Sequence, residues 1–293
     1  MYKLRTGEKS MPKISDVFHE YGFKDDRLTL LAGPCAIESY ETCAEVVEEL
    51  KEITDELGIN YVFKSSFDKA NRSSISSDRG SGMEAGLEVL RQIKENYHVP
   101  IVTDVHESYQ CAPVAEVADV LQIPAFLSRQ TDLLLAAAKT GRVVNIKKAQ
   151  FMAPEDIQSA VNKVASQNEH ILVTERGTMF GYHQLVVDMT SLIQMRQTDY
   201  PVIFDATHSV QIPSGYGNHS GGNRDYVFPL LRAALSIGID GIFAEVHPNP
   251  PKAISDQDSQ LYLSKARPIL EEANRLFHQH LENKAVYADE DLL

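Results

Sequence analysis

Two sets of side chains in this 293-residue chain have the types to do chemistry together. The first is cationic: Lys64, Lys69, Arg72, Lys147, Lys148 and Arg176. Gathered in one place, they would bind phosphates and carboxylates, with arginines gripping them in bidentate fashion. Taken singly, each is equally a strand-flanking lysine or arginine that keeps an element end soluble. The second set is Cys35, His208, Glu245 and Asp256. Thiolate, imidazole and carboxylate together suit a borderline divalent ion such as Zn²⁺, Fe²⁺ or Mn²⁺. The alternatives are a small buried cysteine and a histidine satisfied by backbone, and no tight local ligand spacing decides between them.

Whether either set assembles depends on the elements that carry it. Short apolar runs recur along the chain: LTLLAG (28–33), YVFKSS (61–66), PIVTDV (100–105), DVLQIP (119–124), VVNIKK (143–148), HILVTE (170–175), PVIFDA (201–206) and GIFAEV (241–246). They are β-branched and nearly continuous in hydrophobicity, as parallel strands buried on both faces must be. Amphipathic stretches lie between them, among them 41–58, 82–97, 131–141 and 222–238, several ending on a glycine suited to a helix C-cap. Eight strand–helix alternations predict a single α/β domain, a (β/α)8 barrel spanning 1–293. Residues 1–27 would form an N-terminal extension capping the barrel, and about 278–293 a peripheral tail. An open doubly wound sheet is disfavoured because no glycine-rich phosphate fingerprint follows the first strand.

Barrel enzymes build their sites from strand C-terminal ends and the loops after them. By that rule Cys35 follows the first strand, and Lys64, Lys69, Asn71 and Arg72 the second. Asp104 ends the third, Gln122 lies on the fourth, and Lys147 and Lys148 on the fifth. Glu175 and Arg176 follow the sixth, Asp205 and His208 the seventh, and Glu245 and Asp256 the eighth. All eight strands thus deliver a reactive side chain to the same rim. Strands eight and one are neighbours in a closed barrel, which would bring three of the four candidate ligands together.

The bulk composition is that of an ordinary globular domain, with 43% hydrophobic and 24% charged residues. No apolar run approaches the ~20 residues of a membrane span, and the first residues lack the apolar core of a signal peptide. Three cysteines are too few for a disulfide framework and point to a reducing cytoplasm. A formal net charge of −13 argues against nucleic acid and anionic membranes as partners, although a local cationic pocket can still bind small anions.

Eight segments carry a family likeness: LAGPCAIES (31–39), FKSSFDKANRSS (63–74), TDVHE (103–107), QIPAFLSRQTDLL (122–134), NIKKAQF (145–151), TERGTMFGY (174–182), FDATHSVQ (204–211) and EVHPNPPKAISD (245–256). They resemble the 3-deoxy-D-manno-octulosonate 8-phosphate (KDO8P) synthases over nearly the whole chain. The resemblance implies a cytoplasmic, homotetrameric (β/α)8 transferase that joins phosphoenolpyruvate to D-arabinose 5-phosphate, for lipopolysaccharide synthesis. The sister heptulosonate 7-phosphate synthases, which use erythrose 4-phosphate, carry KPRTS where this chain has KANRSS. A metal-dependent phosphohydrolase on the same barrel, or a non-catalytic phosphosugar sensor, are the remaining alternatives; phosphate release without any aldose would mark the former and binding without turnover the latter.

Cysteine in the GPC segment is similar to the metal-dependent branch of the family. It implies one divalent ion per subunit (Zn, Fe, Mn or Co) held by Cys35, His208, Glu245 and Asp256. Carried over by position, Lys64, Lys69, Gln122, Lys147 and Arg176 would hold phosphoenolpyruvate. Asn71, Arg72 and Ser73 would hold the sugar phosphate, Asp104 would lie near a sugar hydroxyl, and Arg129 would reach a neighbouring subunit's site. Lys147 would supply a proton or stabilise developing charge.

Overall fold

A computed structural model of the chain describes residues 13–72, 74–213 and 221–286. Eight parallel strands form the barrel: β1 (Thr29–Gly33), β2 (Asn60–Lys64), β3 (Ile101–Asp104), β4 (Val120–Ile123), β5 (Val143–Lys147), β6 (Ile171–Glu175), β7 (Val202–Asp205) and β8 (Gly241–His247). Each pairs with the next, and β1 pairs in parallel with β8, which closes the cylinder. The eight apolar runs are therefore the eight strands, displaced by a residue or two at their ends.

The helices follow in alternation: α1 (Tyr40–Leu57), α2 (Met83–Tyr97), α3 (Cys111–Ala115), α4 (Thr131–Lys139), α5 (Ile157–Ala165), α6 (Thr190–Met195), α7 (Val227–Ile237) and α8 (Ala266–Val286). Local signals set their ends. Ser39 caps α1 by accepting from Thr42 N at 3.1 Å, and Gly58 ends it in the left-handed region at φ +67°. The stretch expected to be helical from 222 becomes helical only at Val227, because Gly221–Gly222 pair with Gln211–Ile212 and Asn223 caps a single 3-10 turn. α8 runs on past residue 278 to Val286.

Burial divides the core in two. Every strand contributes one residue to an inner layer: Leu31, Val62, Val102, Val120, Val143, Leu172, Ile203 and Phe243. Ile14 and Phe18 of the N-terminal extension pack into this layer, and Asn60 at the start of β2 donates to Lys24 O at 2.8 Å. Outward-facing residues such as Leu30, Phe63, Leu121 and Phe204 pack against the helices. With the inner layer apolar, polar side chains collect beyond it, at the C-terminal ends of the strands.

One glycine is required by the closeness of the sheet there. A Cβ on Gly33 would lie 2.1 Å from the Lys64 carbonyl oxygen. The register that brings Gly33 opposite Glu245 also sets Cys35 and Lys64 beside that carboxylate.

Candidate active site

The strand C-termini surround a cleft of about 620 Å³. Lys64, Lys69, Asn71, Arg72, Asp104, Gln122, Lys147, Arg176, His208, Glu245 and Asp256 all line it. Cys35 lies just beneath, 3.0 Å from Asp256 Oδ2 through its Sγ. Arg129 is exposed and does not line the cleft, and Ser73 falls outside the described residues. Lys148 is fully buried behind the wall, where it bonds Thr178 Oγ1 at 3.2 Å and lies 3.6 Å from Glu175 Oε2. It supports the loop rather than facing the cleft.

Three buried cations point into this space: Lys64 (1% exposed), Lys147 (6%) and Arg176 (5%). A buried charge costs several kcal/mol unless it is paired, so their partners are informative. Lys64 Nζ donates to Glu245 Oε1 at 2.7 Å and to Cys35 O at 2.9 Å. Lys69 lies 3.7 Å from the same carboxylate oxygen. Lys147 Nζ donates to Asp205 Oδ2 at 2.7 Å and sits 3.6 Å above the Phe243 ring. Arg176 donates through Nη2 to Gln211 Oε1 at 2.8 Å, while its buried Nη1 has no hydrogen-bond partner among the described residues.

This crowding fixes the protonation states. Burial alone would push Glu245 toward protonation, but Lys64, His208 and Lys69 outweigh it and hold the carboxyl well below its usual range. Asp104 and Asp205 are likewise held low against burial, the first by Lys64 and Lys69, the second by His208 and Lys147. Burial drags the Lys147 ammonium below the ordinary lysine value despite Asp205 and Asp104. For Lys69 the same penalty is overcome by Cys35, Glu245, Asp104 and Asp256, which raise it. Burial, reinforced by Glu245, pushes the Cys35 thiol well up.

The donor atoms of Cys35, Glu245 and Asp256 all lie within 4.8 Å of one another. His208 stands beside this trio, its Nε2 3.6 Å from Glu245 Oε1. Its Nδ1 is 2.8 Å from Asp205 Oδ2, a contact that orients the ring with Nε2 toward Glu245. Glu245 Oε2 is buried and has no hydrogen-bond partner among the described residues. An orphaned carboxylate oxygen beside a thiol, a carboxylate and an oriented imidazole fits a divalent cation. Asp256 adopts φ +51°, a conformation that non-glycine residues hold only when their surroundings impose it.

Several partners carry no sequence signal. Asp104 accepts from Ser66 Oγ at 2.5 Å and from Gln122 Nε2, and Gln122 Oε1 accepts from Asn145 Nδ2 at 3.0 Å. Thr174 Oγ1 completes this buried chain by donating to Asn145 Oδ1 at 2.7 Å. Both the nitrogen and the oxygen of the Gln122 amide are thus held within the barrel. Arg72 is tied across the mouth to Asp78 O, Ser255 Oγ and Ile254 O at 2.8, 2.9 and 2.5 Å. Glu38 Oε1 accepts from Ile254 N at 3.0 Å and lies 3.5 Å from His247 Nε2, securing the same loop. Ser66, Asn145, Thr174 and Ser255 look like ordinary strand and loop residues until their neighbours are known.

Residues 16–281 match the DAHP synthetase I family. A relative from Fusobacterium nucleatum, named 2-dehydro-3-deoxyphosphooctonate aldolase, is 60% identical over 245 residues, covering 83% of this chain and 88% of its own length. A Cyanothece relative with the same name is 57% identical, covering 83% and 89%. One from Francisella tularensis subsp. holarctica, again so named, is 54% identical over 250 residues, covering 85% and 91%.

Proposed function

The chain belongs to the DAHP synthetase I family, and we propose residue roles for its cleft on that premise. The enzyme condenses phosphoenolpyruvate with D-arabinose 5-phosphate and water, giving 3-deoxy-D-manno-octulosonate 8-phosphate and phosphate. The family's description names the sister heptulosonate chemistry, whereas these relatives carry the octonate name. The KANRSS segment of this chain, in place of KPRTS, favours the octonate reading.

One observation carries the assignment of roles: a buried Arg176 Nη1, unpartnered among the described residues, in a cleft where Lys64 and Lys147 are also buried. An orphaned guanidinium nitrogen in such a place calls for an anion. Lys64, Lys69, Lys147 and Arg176 bind the phosphate and carboxylate of phosphoenolpyruvate, and Gln122 holds Asp104 in place at the floor. Asn71, Arg72 and Ser73 receive the phosphate of the sugar, with Asp104 near one of its hydroxyls. Cations in a cleft of low dielectric offset the repulsion between two polyanionic substrates and hold them in reacting geometry.

Phosphoenolpyruvate C3 attacks the aldehyde carbon and forms the new C–C bond, while C2 becomes electron-poor. Water adds at C2, and the hemiketal phosphate collapses with cleavage of its C–O bond, releasing phosphate. Lys147, which lines the cleft and whose ammonium burial lowers below the ordinary lysine value, supplies a proton to the nascent alkoxide or stabilises its charge. Cys35, His208, Glu245 and Asp256 would hold a divalent cation, Zn, Fe, Mn or Co, which supplies Lewis acidity at a carbonyl or water oxygen. Asp205 keeps His208 in the orientation such a role needs.

A homotetramer agrees with the exposed aromatic residues on the segments after β4, β5 and β6, Phe126, Phe151 and Phe180, the first of them on the same segment as Arg129. Sedimentation equilibrium tests that assembly. No helix among the described residues is long and apolar enough to cross a membrane. The three cysteines are free, which agrees with a reducing cytoplasm.

Phosphate release measured with each substrate alone and with both, together with product mass, tests the reaction. Release that needs both substrates and a product of the octulosonate mass are expected; release without an aldose overturns the assignment. Exhaustive chelation abolishes turnover and Mn²⁺, Co²⁺ or Zn²⁺ restores it, and full activity in metal-free protein refutes the quartet.

A further inference from the structure

Arg176 and Asp256 are opposite charges lining one cleft, close enough for the carboxylate to favour the charged guanidinium. Nothing about their charges prevents them from pairing directly. Such a pair would be bidentate and would take up Arg176 Nη1, the nitrogen now left without a partner. It would also turn the Asp256 carboxylate away from Cys35. In the structure the side chain of Gln211 bridges the two instead. Its Oε1 accepts from Arg176 Nη2 at 2.8 Å, and its Nε2 donates to Asp256 Oδ1.

The polarity of this contact is specific. A carboxamide carries its acceptor and its donor on separate atoms, so glutamine can face a guanidinium with one and a carboxylate with the other. Gln211 is held in place by its own backbone, which pairs with Gly222 in the short antiparallel ladder after β7. With Oδ1 occupied by the amide, Asp256 Oδ2 accepts from Ser255 Oγ at 2.8 Å and faces Cys35 Sγ at 3.0 Å. Ser255 Oγ in turn accepts from Arg72 Nη1 at 2.9 Å. A continuous line therefore runs from Arg176 through Gln211, Asp256 and Ser255 to Arg72. It joins the two anion-binding arginines through one carboxylate of the metal quartet.

We propose that Gln211 is a positioning residue that keeps Arg176 off Asp256, so that one amide sets both the phosphoenolpyruvate grip and the metal carboxylate. The inference rests on the roles given above to Arg176 and Asp256. Its consequence is joint: removing the amide weakens metal binding and phosphoenolpyruvate binding together, while the fold remains.

The test uses the purified full-length enzyme and Gln211→Met, which keeps length and volume but neither hydrogen bond. Co²⁺ affinity is read by competition with a chromogenic chelator, and its thiolate band by absorbance; KM for phosphoenolpyruvate and kcat are read with Mn²⁺ in excess. The expected result is a loss of tenfold or more in Co²⁺ affinity, as for other residues that orient metal ligands. It is accompanied by a rise of about tenfold in KM, a smaller change in kcat and an unchanged unfolding midpoint. If Gln211→Met does not yield folded protein, Gln211→Asn, which shortens the bridge by one methylene, is read the same way. A wild-type protein with no thiolate band, matching Cys35→Ala, overturns the quartet itself and the coupling with it. A normal wild-type band with both constants unchanged in the variant overturns the role of Gln211 alone. So does a change in only one of them, since the amide would then serve one side.

Discussion

Asp205→Asn probes the polar layer where it is most tightly wired. The carboxylate is fully buried and accepts from Lys147 Nζ at 2.7 Å, from His208 Nδ1 at 2.8 Å and from the His208 backbone N at 2.9 Å. Substitution by asparagine keeps the shape but removes the charge opposite Lys147. At 2.7 Å and an effective dielectric of about 20, the attraction lost is roughly 6 kcal/mol, and removing one partner of a buried pair typically costs ~3–5 kcal/mol. Lys147 has an escape, since it can enter the fold neutral. Shedding its proton at pH 7 against an unfolded pKa of ~10.4 costs about 1.4 kcal/mol per unit, or roughly 4.6 kcal/mol, which caps the loss. The sign of the pH dependence follows. In the variant the folded lysine binds fewer protons than the unfolded one, so the deficit shrinks as pH rises from 7 toward 10.

The assay is urea unfolding of metal-free protein at pH 7, 8.5 and 10. A deficit of ~3–5 kcal/mol at pH 7 is expected, falling at higher pH. Adding Lys147→Met removes the stranded charge, leaves a thioether against Phe243 and recovers most of the loss. A deficit under about 1 kcal/mol, or one that does not change with pH, would refute the reasoning. Metal affinity gives a second reading, because a carboxylate orienting a histidine ligand is worth about 10–100-fold.

Gly33→Ala drives a Cβ into the Lys64 carbonyl, and a backbone atom at 2.1 Å cannot yield without parting β1 from β2. A loss of about 3 kcal/mol or more is expected by chemical unfolding, and near-native stability would show that the strands separate freely. Cys43, buried in α1, has its thiol pushed up to about 12 by burial. Its neutral form contributes stability that is complete below the unfolded value near 8.5–9 and drains away as pH rises toward 12. Wild type should therefore lose on the order of 2 kcal/mol relative to Cys43→Ala between pH 8 and 10.5, and parallel pH profiles would contradict it. Arg72→Ala should raise KM for arabinose 5-phosphate at least tenfold while leaving that for phosphoenolpyruvate within about threefold. An unchanged aldose KM would remove Arg72 from the sugar-phosphate site.

The barrel was legible in the chain because strands buried on both faces must be short, apolar and β-branched, a pattern each of the eight runs displays. The rim was legible for a related reason: once the interior is apolar, reactive side chains can only gather where strands end. That placed Lys64, Asp104, Lys147, His208 and Glu245 in one cleft before any coordinate was known. What the linear pattern could not carry is which side chain faces which across the mouth. Lys64 on Glu245, Lys147 on Asp205, Gln122 locked between Asp104 and Asn145, and Gln211 interposed between Arg176 and Asp256 are matters of ångströms, decided by register and loop path. Ile14 and Phe18 filling the inner layer is of the same kind, since nothing local marks them as core. Periodicity encodes burial, which is a property of one segment and its solvent. Pairing across a closed barrel joins residues up to 225 positions apart, as Cys35 and Gln260 are, and only the folded chain chooses those partners.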